Sequence, residues 1–466
     1  MTATRFPGQH FSAAILLFFL LFASCGNPAP QIRPIAIVGG TLIDGTGSPP
    51  VMDAAILIEG DRFQQVGTRG EVLIPEDAEV IEADGTTILP GLIDGHCHYE
   101  EWADELYLAF GVTTCPDIAG NDPEPLVPRR AAIASGSIRG PRLWLAGLTI
   151  DGPVPPEASA RRRARSGIVV ETPEAARQAV RTQVDQGVDG LKFYDYLAPE
   201  AAKAAADEAH LLGRSVFGHS LDIFAAADAG YDSVEHFWAV VYTSMQDPNR
   251  KTDLDLARNS GQISTRAFQV YLQPERMDDI VRVLVDHTIH WSPTWATWFR
   301  PYSSRAAEMK AQELALITDP RFGVGREQLQ AVESLYAEFE NAAAERKAEL
   351  LAGYRHLEDF TRRFVAAGGK LHAGSDPDRV LPAYGLHVEL DLLVAAGLAP
   401  VQAIQAASLN VAQAWRKDAD YGSVEPGKVA DLVLVQSDLT RDISATENVE
   451  NFVMVFQDGQ RVAGSR

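Results

Sequence analysis

Basic residues are scarce in this chain: 41 Lys and Arg stand against 63 Asp and Glu, a formal net charge of −22. Nucleic-acid binding needs clustered Lys and Arg to replace the counterions along phosphates, so this balance excludes it. The one dense basic run, Arg161-Arg162-Arg163-Ala164-Arg165, is short and follows Pro153, Pro155 and Pro156. It reads as a solvated loop, with an anion or partner site as the alternative. Cysteine is scarcer still, at three residues, which excludes a disulfide framework. Cys97 and Cys115 end neighbouring predicted strands, and the expectation for them is a pair of free buried thiols. No glycine-rich loop follows the first of those strands, which removes the nucleotide-binding α/β enzymes. No apolar run reaches the ~20 residues of a membrane span.

The N-terminus does carry a shorter apolar run, residues 11–22, behind Arg5 and before Ala23-Ser24-Cys25. Its length and flanks predict a secretory signal over residues 1–25, with an uncleaved anchor helix as the alternative; either reading puts the protein outside the cytoplasm. The Ala-Ser-Cys ending resembles a bacterial lipoprotein signal. That resemblance implies a lipidated Cys25 as the mature N-terminus, residues 26–33 as a tether, and a lipid anchor as the sole attachment to a membrane. Gly26 follows, with no Asp to suggest retention at the inner membrane.

Hydrophobic content of 46% beside 22% charged residues is ordinary for a globular chain, so a sizeable core is expected and disorder is not. At 466 residues, one large and one small domain fit best.

The most informative motif is His96-Cys97-His98, behind Leu89-Pro90-Gly91-Leu92-Ile93-Asp94-Gly95. An apolar strand alternates its side chains, so two histidines one residue apart leave on the same face, as a metal ion needs. Four more apolar runs end in a residue able to hold a metal: Gly190-Leu191-Lys192, Ser215-Val216-Phe217-Gly218-His219, Asp232-Ser233-Val234-Glu235-His236 and Lys370-Leu371-His372-Ala373-Gly374-Ser375-Asp376. The segments between them are helical in pattern; Thr172-Pro173-Glu174 opens one through Gln186 and Pro199-Glu200 another through Leu212. Strand and helix in alternation mean a parallel sheet. Ligands at the carboxyl ends of successive strands are what a (β/α)8 barrel gathers at its catalytic face.

On these residues the chain resembles the amidohydrolase superfamily, from about residue 34 to the end. The order His-x-His, Lys, His, His, Asp matches its two-metal pattern at His96, His98, Lys192, His219, His236 and Asp376. The flanks Ile88-Leu89-Pro90-Gly91-Leu92-Ile93-Asp94 and Gly422-Ser423-Val424-Glu425-Pro426-Gly427-Lys428-Val429-Ala430-Asp431 match as well. The resemblance implies two divalent ions, zinc by the donor set, with His96, His98 and Asp376 on one, His219 and His236 on the other, and Lys192 shared between them as a carbamate formed with CO2. It also implies that Asp376 is the catalytic acid/base. Within the superfamily the similarity is to imidazolonepropionase-like enzymes and Xaa-Pro or Xaa-Arg dipeptidases, carried by Gly190-Leu191-Lys192-Phe193-Tyr194 and Leu386-His387-Val388-Glu389-Leu390.

The expected layout is a barrel over residues 91–420 beside a small β-sandwich built from residues 34–90 and 421–466. A helical insertion at about 300–366 reads as a lid and substrate wall, or equally as a peripheral hairpin or a contact between copies of the chain. Tyr194, two residues beyond Lys192, is a candidate substrate contact or a packing residue. Trp291, Trp295, Trp298, Arg300 and Tyr302 read as a pocket wall or as core, with Arg300 a candidate clamp for a substrate carboxylate. His387 and Glu389 are expected to support the site or pack, and His372 is unassigned. The function expected is an exported hydrolase of amide-type C–N bonds in a dipeptide or N-acyl amino acid. Cyclic amides, lactones and phosphoesters are the alternative substrates, and a binding lipoprotein without turnover is the alternative class.

Overall fold

A computed structural model describes residues 2, 33–156, 165, 167–260, 262 and 265–464. The expected signal segment with Cys25, the tether up to residue 32, and residues 161–164 of the basic run lie outside the described residues. No helix among the described residues is long and apolar enough to cross a membrane.

The chain first builds short strands, paired both antiparallel and parallel, then strand–helix units. Seven strands of the second part build the barrel wall, β1 (Leu92–Ile93), β2 (Val112–Asp117), β3 (Arg142–Leu145), β4 (Gly190–Phe193), β5 (Ser215–Gly218), β6 (Ser233–Glu235) and β7 (His290–Ser292), and two short ones, Ile150–Asp151 and Ile168–Val169, pair in parallel beside β4. β1, β2 and β3 pair in parallel, as do β4 to β7. Leu145 O, which accepts from Asp189 N at 2.7 Å, links the two groups. The eighth position is held by Leu371, which bridges in parallel to Trp291, and Gly95 N donates to Ala373 O at 2.9 Å, joining it to the first. Every residue of β4, β5, β6 and β7 is buried, as expected for strands covered on both faces rather than half-exposed. This is the α/β, (β/α)8-type architecture.

The connecting helices start where the sequence says they should. Thr172 caps Pro173–Asp185 by accepting from Ala175 N at 3.2 Å, with Pro173 in the first turn where its missing N–H costs nothing. Pro199–Leu211 opens the same way, without a side-chain cap.

The early strands form two sheets. The smaller runs Arg62–Thr68, Ala54–Glu59, Ile35–Val38, Glu79–Glu82. The larger is six-stranded and joins Thr87–Pro90 antiparallel to Leu432–Val435, so both ends of the chain share one β unit. Ile37, Ile56, Phe63, Ile88, Leu432 and Phe456 fill its core. Arg142 fastens this unit to the barrel, 2.5 Å from both Asp431 and Asp458.

The insertion after β7 forms three helices, Ala306–Thr318, Arg326–Glu340 and Ala344–Ala366. The last doubles as the cover of the barrel wall: Phe360 and Phe364 pack edge-on against Trp291.

One expectation is overturned. Cys97 and Cys115 are not free thiols but a disulfide, with Cα atoms 5.9 Å apart. A low cysteine count argues against a framework of bridges. It says nothing about a single pair placed by adjacent strands at bonding distance.

Candidate metal centre

The first histidine pair and the late aspartate meet because two glycines let their strand ends lie side by side. A Cβ on Gly374 would stand 2.4 Å from His96 N, and one on Gly95 would stand 2.5 Å from His372 Nδ1. Asp376 N then donates to His96 O at 2.8 Å. The buried Asp94 carboxylate reinforces the junction, accepting from Ser375 N at 2.8 Å and Ser375 Oγ at 2.5 Å.

Within this junction, one ligand atom each from His96, His98 and Asp376 lies within 4.8 Å of the others. His98 Nε2 is 3.4 Å from Asp376 Oδ1. A second convergence adjoins it: His219 Nε2 and His236 Nε2 are 3.0 Å apart, and the rings of His96 and His236 have centroids 4.6 Å apart. Two nitrogens held at ~2.0–2.1 Å by one tetrahedral ion would lie ~3.3 Å apart, close to the spacing of the His219–His236 pair. Lys192, 2% exposed, is the next-to-last residue of β4, and its Nζ has no hydrogen-bond partner.

The electrostatics suit cations. Burial, with the Lys192 charge next, lowers His96 to about 4 and His219 to about 3; burial lowers His98 to about 3 and takes His236 well below its ordinary range. The rings are therefore neutral at physiological pH, with lone pairs free to bind metal. Burial lowers Lys192 to about 8, which leaves a fraction as the neutral amine that can combine with CO2. Burial and the neighbouring Asp378 raise Asp376 to about 8, the range of a group that exchanges protons at working pH. An orphaned buried amine among neutral imidazoles and a carboxylate is a donor set that fits two first-row dications.

Several residues that orient the ligands were not legible as such. Glu235 lies 2.6 Å from His96 Nδ1 and accepts from Ser233 Oγ at 2.7 Å, while Ser233 Oγ is 2.8 Å from the unassigned His372. His236 Nδ1 meets Thr294 Oγ1 at 2.7 Å, and Asp195 Oδ1 is 3.5 Å from His219 Nδ1. With Nδ1 of His96 and His236 engaged, Nε2 of those two rings is left for the site. His236, Thr294 and Asp376 all hold positive φ, at 68°, 51° and 44°. Three such non-glycine residues together mark backbone held by its surroundings at a working site. Trp238, two residues beyond His236, stacks on that ring at 3.9 Å. The only sequence signal for Glu235 was its place next to a ligand histidine.

The softer candidates fall in different places. Tyr194 lies against the site, its ring 4.1 Å from that of His219. Trp291 is fully buried and donates from Nε1 to His236 O at 2.9 Å, so it braces the loop from behind. Arg300 is also fully buried; Nε donates to Glu313 at 3.1 Å and Nη1 to Ala296 O at 2.7 Å. Such a guanidinium has no face left for substrate. His387 packs, its Nε2 3.0 Å from Phe110 O, and Glu389 accepts from Ala296 N at 2.7 Å.

The model of the amidohydrolase family matches residues 105–462, which include Lys192, His219, His236 and Asp376 and begin just past His98. Among curated proteins, an adenine deaminase of Clostridium botulinum (strain Loch Maree / Type A3) is 38% identical over 63 residues, 14% of this chain and 10% of that protein. A dihydroorotase of Streptomyces coelicolor is 50% identical over 46 residues, 10% of each chain. The matched stretches thus span about a tenth of these relatives. Solved structures match over nearly the whole length. A Xaa-Pro dipeptidase with methionine bound in its active site superimposes with a TM-score of 0.64 at 21% identity, covering 92% of this chain and 99% of that one. An ochratoxinase of A. niger gives 0.64 at 19%, covering 93% and 96%, and phenylurea hydrolase B gives 0.61 at 21%, covering 92% and 96%. At these identities the likeness concerns the fold.

Proposed function

The chain belongs to the amidohydrolase family, and from that premise we propose that it is a metal-dependent hydrolase cleaving the amide bond of a dipeptide or N-acyl amino acid. One observation carries the reading: His98 Nε2 stands 3.4 Å from Asp376 Oδ1, beside His219 and His236 with their Nε2 atoms 3.0 Å apart and the unpartnered amine of Lys192. A module that only bound a partner would have no use for so many buried, neutral donors around a titratable carboxylate.

His96, His98 and Asp376 would hold one ion and His219 and His236 the other, with Lys192, carboxylated by CO2, between them. Two such ions, zinc by donor chemistry, supply a water acidified towards a pKa of ~7 and polarise the scissile carbonyl. Asp376 accepts the proton of the attacking water and passes it to the departing nitrogen, which needs a proton to leave as an amine. The backbone bond from Asp376 N to His96 O and the hydroxyl of Thr297 on Asp376 O fix this carboxylate for both transfers. Glu235, Thr294 and Asp195 keep the imidazoles turned to the site. Tyr194 is within reach to hydrogen-bond substrate. Work outside the cytoplasm, tethered by a lipid on Cys25, completes the proposal and is supported by the apolar run and the small residues before that cysteine.

The test is metal-loaded protein lacking residues 1–25, assayed on dipeptides, N-acyl amino acids, hydantoin-like rings and lactones beside Asp376→Asn. Turnover of the first two classes that collapses in the variant is expected. Turnover unchanged in Asp376→Asn refutes the mechanism.

A further inference from the structure

A dipeptide or N-acyl amino acid ends in a free carboxylate close to the bond that is cut; a full residue spans only ~3.8 Å between Cα atoms. An enzyme selective for such substrates therefore needs a cation about one residue's length from the reacting carbon. Arg300, the sequence candidate, is sealed against Glu313. Arg258 is also committed, 2.9 Å from Asp195 and 3.5 Å from Asp255 with 8% of its side chain exposed.

Arg165 is placed differently. Its Nη2 is 2.9 Å from Asp378 Oδ2, and 41% of its side chain remains exposed, against none for Arg300. Asp378 follows Asp376 by two residues, and its other oxygen is 3.9 Å from His98 Nδ1. A carboxylate bound to Arg165 at this rim thus sits beside a ring that also reaches Asp376. The positive charge of Arg165 acts on Tyr194 and Asp376 alike, so it lies near both.

We propose that Arg165 is a specificity-determining residue that binds the free carboxylate of the substrate, and that Asp378 holds its guanidinium until that carboxylate replaces it. The inference rests on the amide-hydrolase reading and names the part of the substrate that reading leaves open. A planar fork pairs with a carboxylate through two parallel N–H donors, which neither an amide nor an ester reproduces.

The experiment compares one dipeptide as its free acid and as its C-terminal amide, in metal-loaded wild type, Arg165→Ala and Arg165→Lys. Wild type is expected to favour the acid. Arg165→Ala should raise KM for the acid about 30-fold, the scale of one charge-assisted bond, and change that for the amide less than about threefold. Arg165→Lys, a point charge without the fork, should recover part of the loss. Equal losses on acid and amide, or a wild type indifferent to the two, overturn the proposal. Should wild type hydrolyse neither, the proposed activity fails, yet calorimetry with the same pair still decides this inference. Acid binding weakened at least tenfold by Arg165→Ala, with amide binding unchanged, supports it, and equal effects on both overturn it.

Discussion

The carboxylate of Glu235 lies 2.6 Å from Nδ1 of His96, with both side chains closed to solvent. Burial works against that charge, but His372, 3.7 Å away, and the hydrogen bond from His96 outweigh it and hold Glu235 well below the ordinary carboxylate range. Glu235 is thus an anion that fixes the tautomer of His96 and aims Nε2 at the metal site. Glu235→Gln, nearly the same in shape, should lower metal affinity about 10–100-fold, read by competition with a chelator. Unchanged affinity would leave His96 oriented by packing alone.

Lys192 yields a second prediction. Its Nζ has no partner, so an ordinary lysine here would be a buried cation among rings that need to hold cations. Chelator-treated protein should regain metal more completely with bicarbonate present, and labelled bicarbonate should give a carbamate signal absent from Lys192→Met. Full metal recovery in Lys192→Met would contradict the bridging role.

The imidazoles set a pH dependence in the metal-free protein. Burial lowers His96, His98 and His219 to about 4, 3 and 3. The unfolded chain protonates these rings near ~6.5 and the folded one does not, so their stabilising contribution is whole above ~6.5 and is lost as pH falls towards 4 and 3. Asp376 has the opposite sign: raised to about 8 by burial and Asp378, it favours the fold when protonated, and that contribution fades as pH rises through 8. With His236, His290 and His387 also lowered by burial, the six imidazoles outnumber the five carboxyls raised to between about 6 and 8, Asp94, Asp117, Asp376, Glu389 and Glu447, so the melting temperature of chelator-treated protein should fall modestly from pH ~6.5 to ~4.5. A flat or rising melting temperature over that window contradicts the neutral-imidazole reading.

The disulfide ties the His-x-His strand end to its neighbour across 18 residues of sequence. Replacing Cys97 and Cys115 together by Ala should cost about 3 kcal/mol in the chain-entropy account, seen as a lower urea midpoint at unchanged slope. A midpoint that does not move would mean the bond is absent in the folded protein.

Strand ends and helix starts were legible because short apolar runs and Pro-led first turns are local signals: β4, β5 and Pro173–Asp185 lie where the sequence puts them. The candidate ligands were singled out by their order, and the structure brings His96, His98 and Asp376 together. The supporting residues were not, because alternation fails where the backbone turns left-handed. His236, at φ 68°, follows Glu235 without the usual flip of face, so both reach the interior from adjacent positions. Arg300 misled because a guanidinium that pairs with substrate and one that pairs with a distant Glu313 look alike in sequence. Arg165 was masked by the opposite effect, as one of several arginines in a run that reads as solvated.

Metal content per chain tests the central claim most directly. Protein stripped by chelator and titrated with zinc in the presence of bicarbonate should take up close to two ions per chain, with activity rising in step. The doubly substituted His96→Ala, His219→Ala chain should take up almost none. No more than trace uptake by wild type, or equal uptake by the substituted chain, would contradict a two-metal hydrolase.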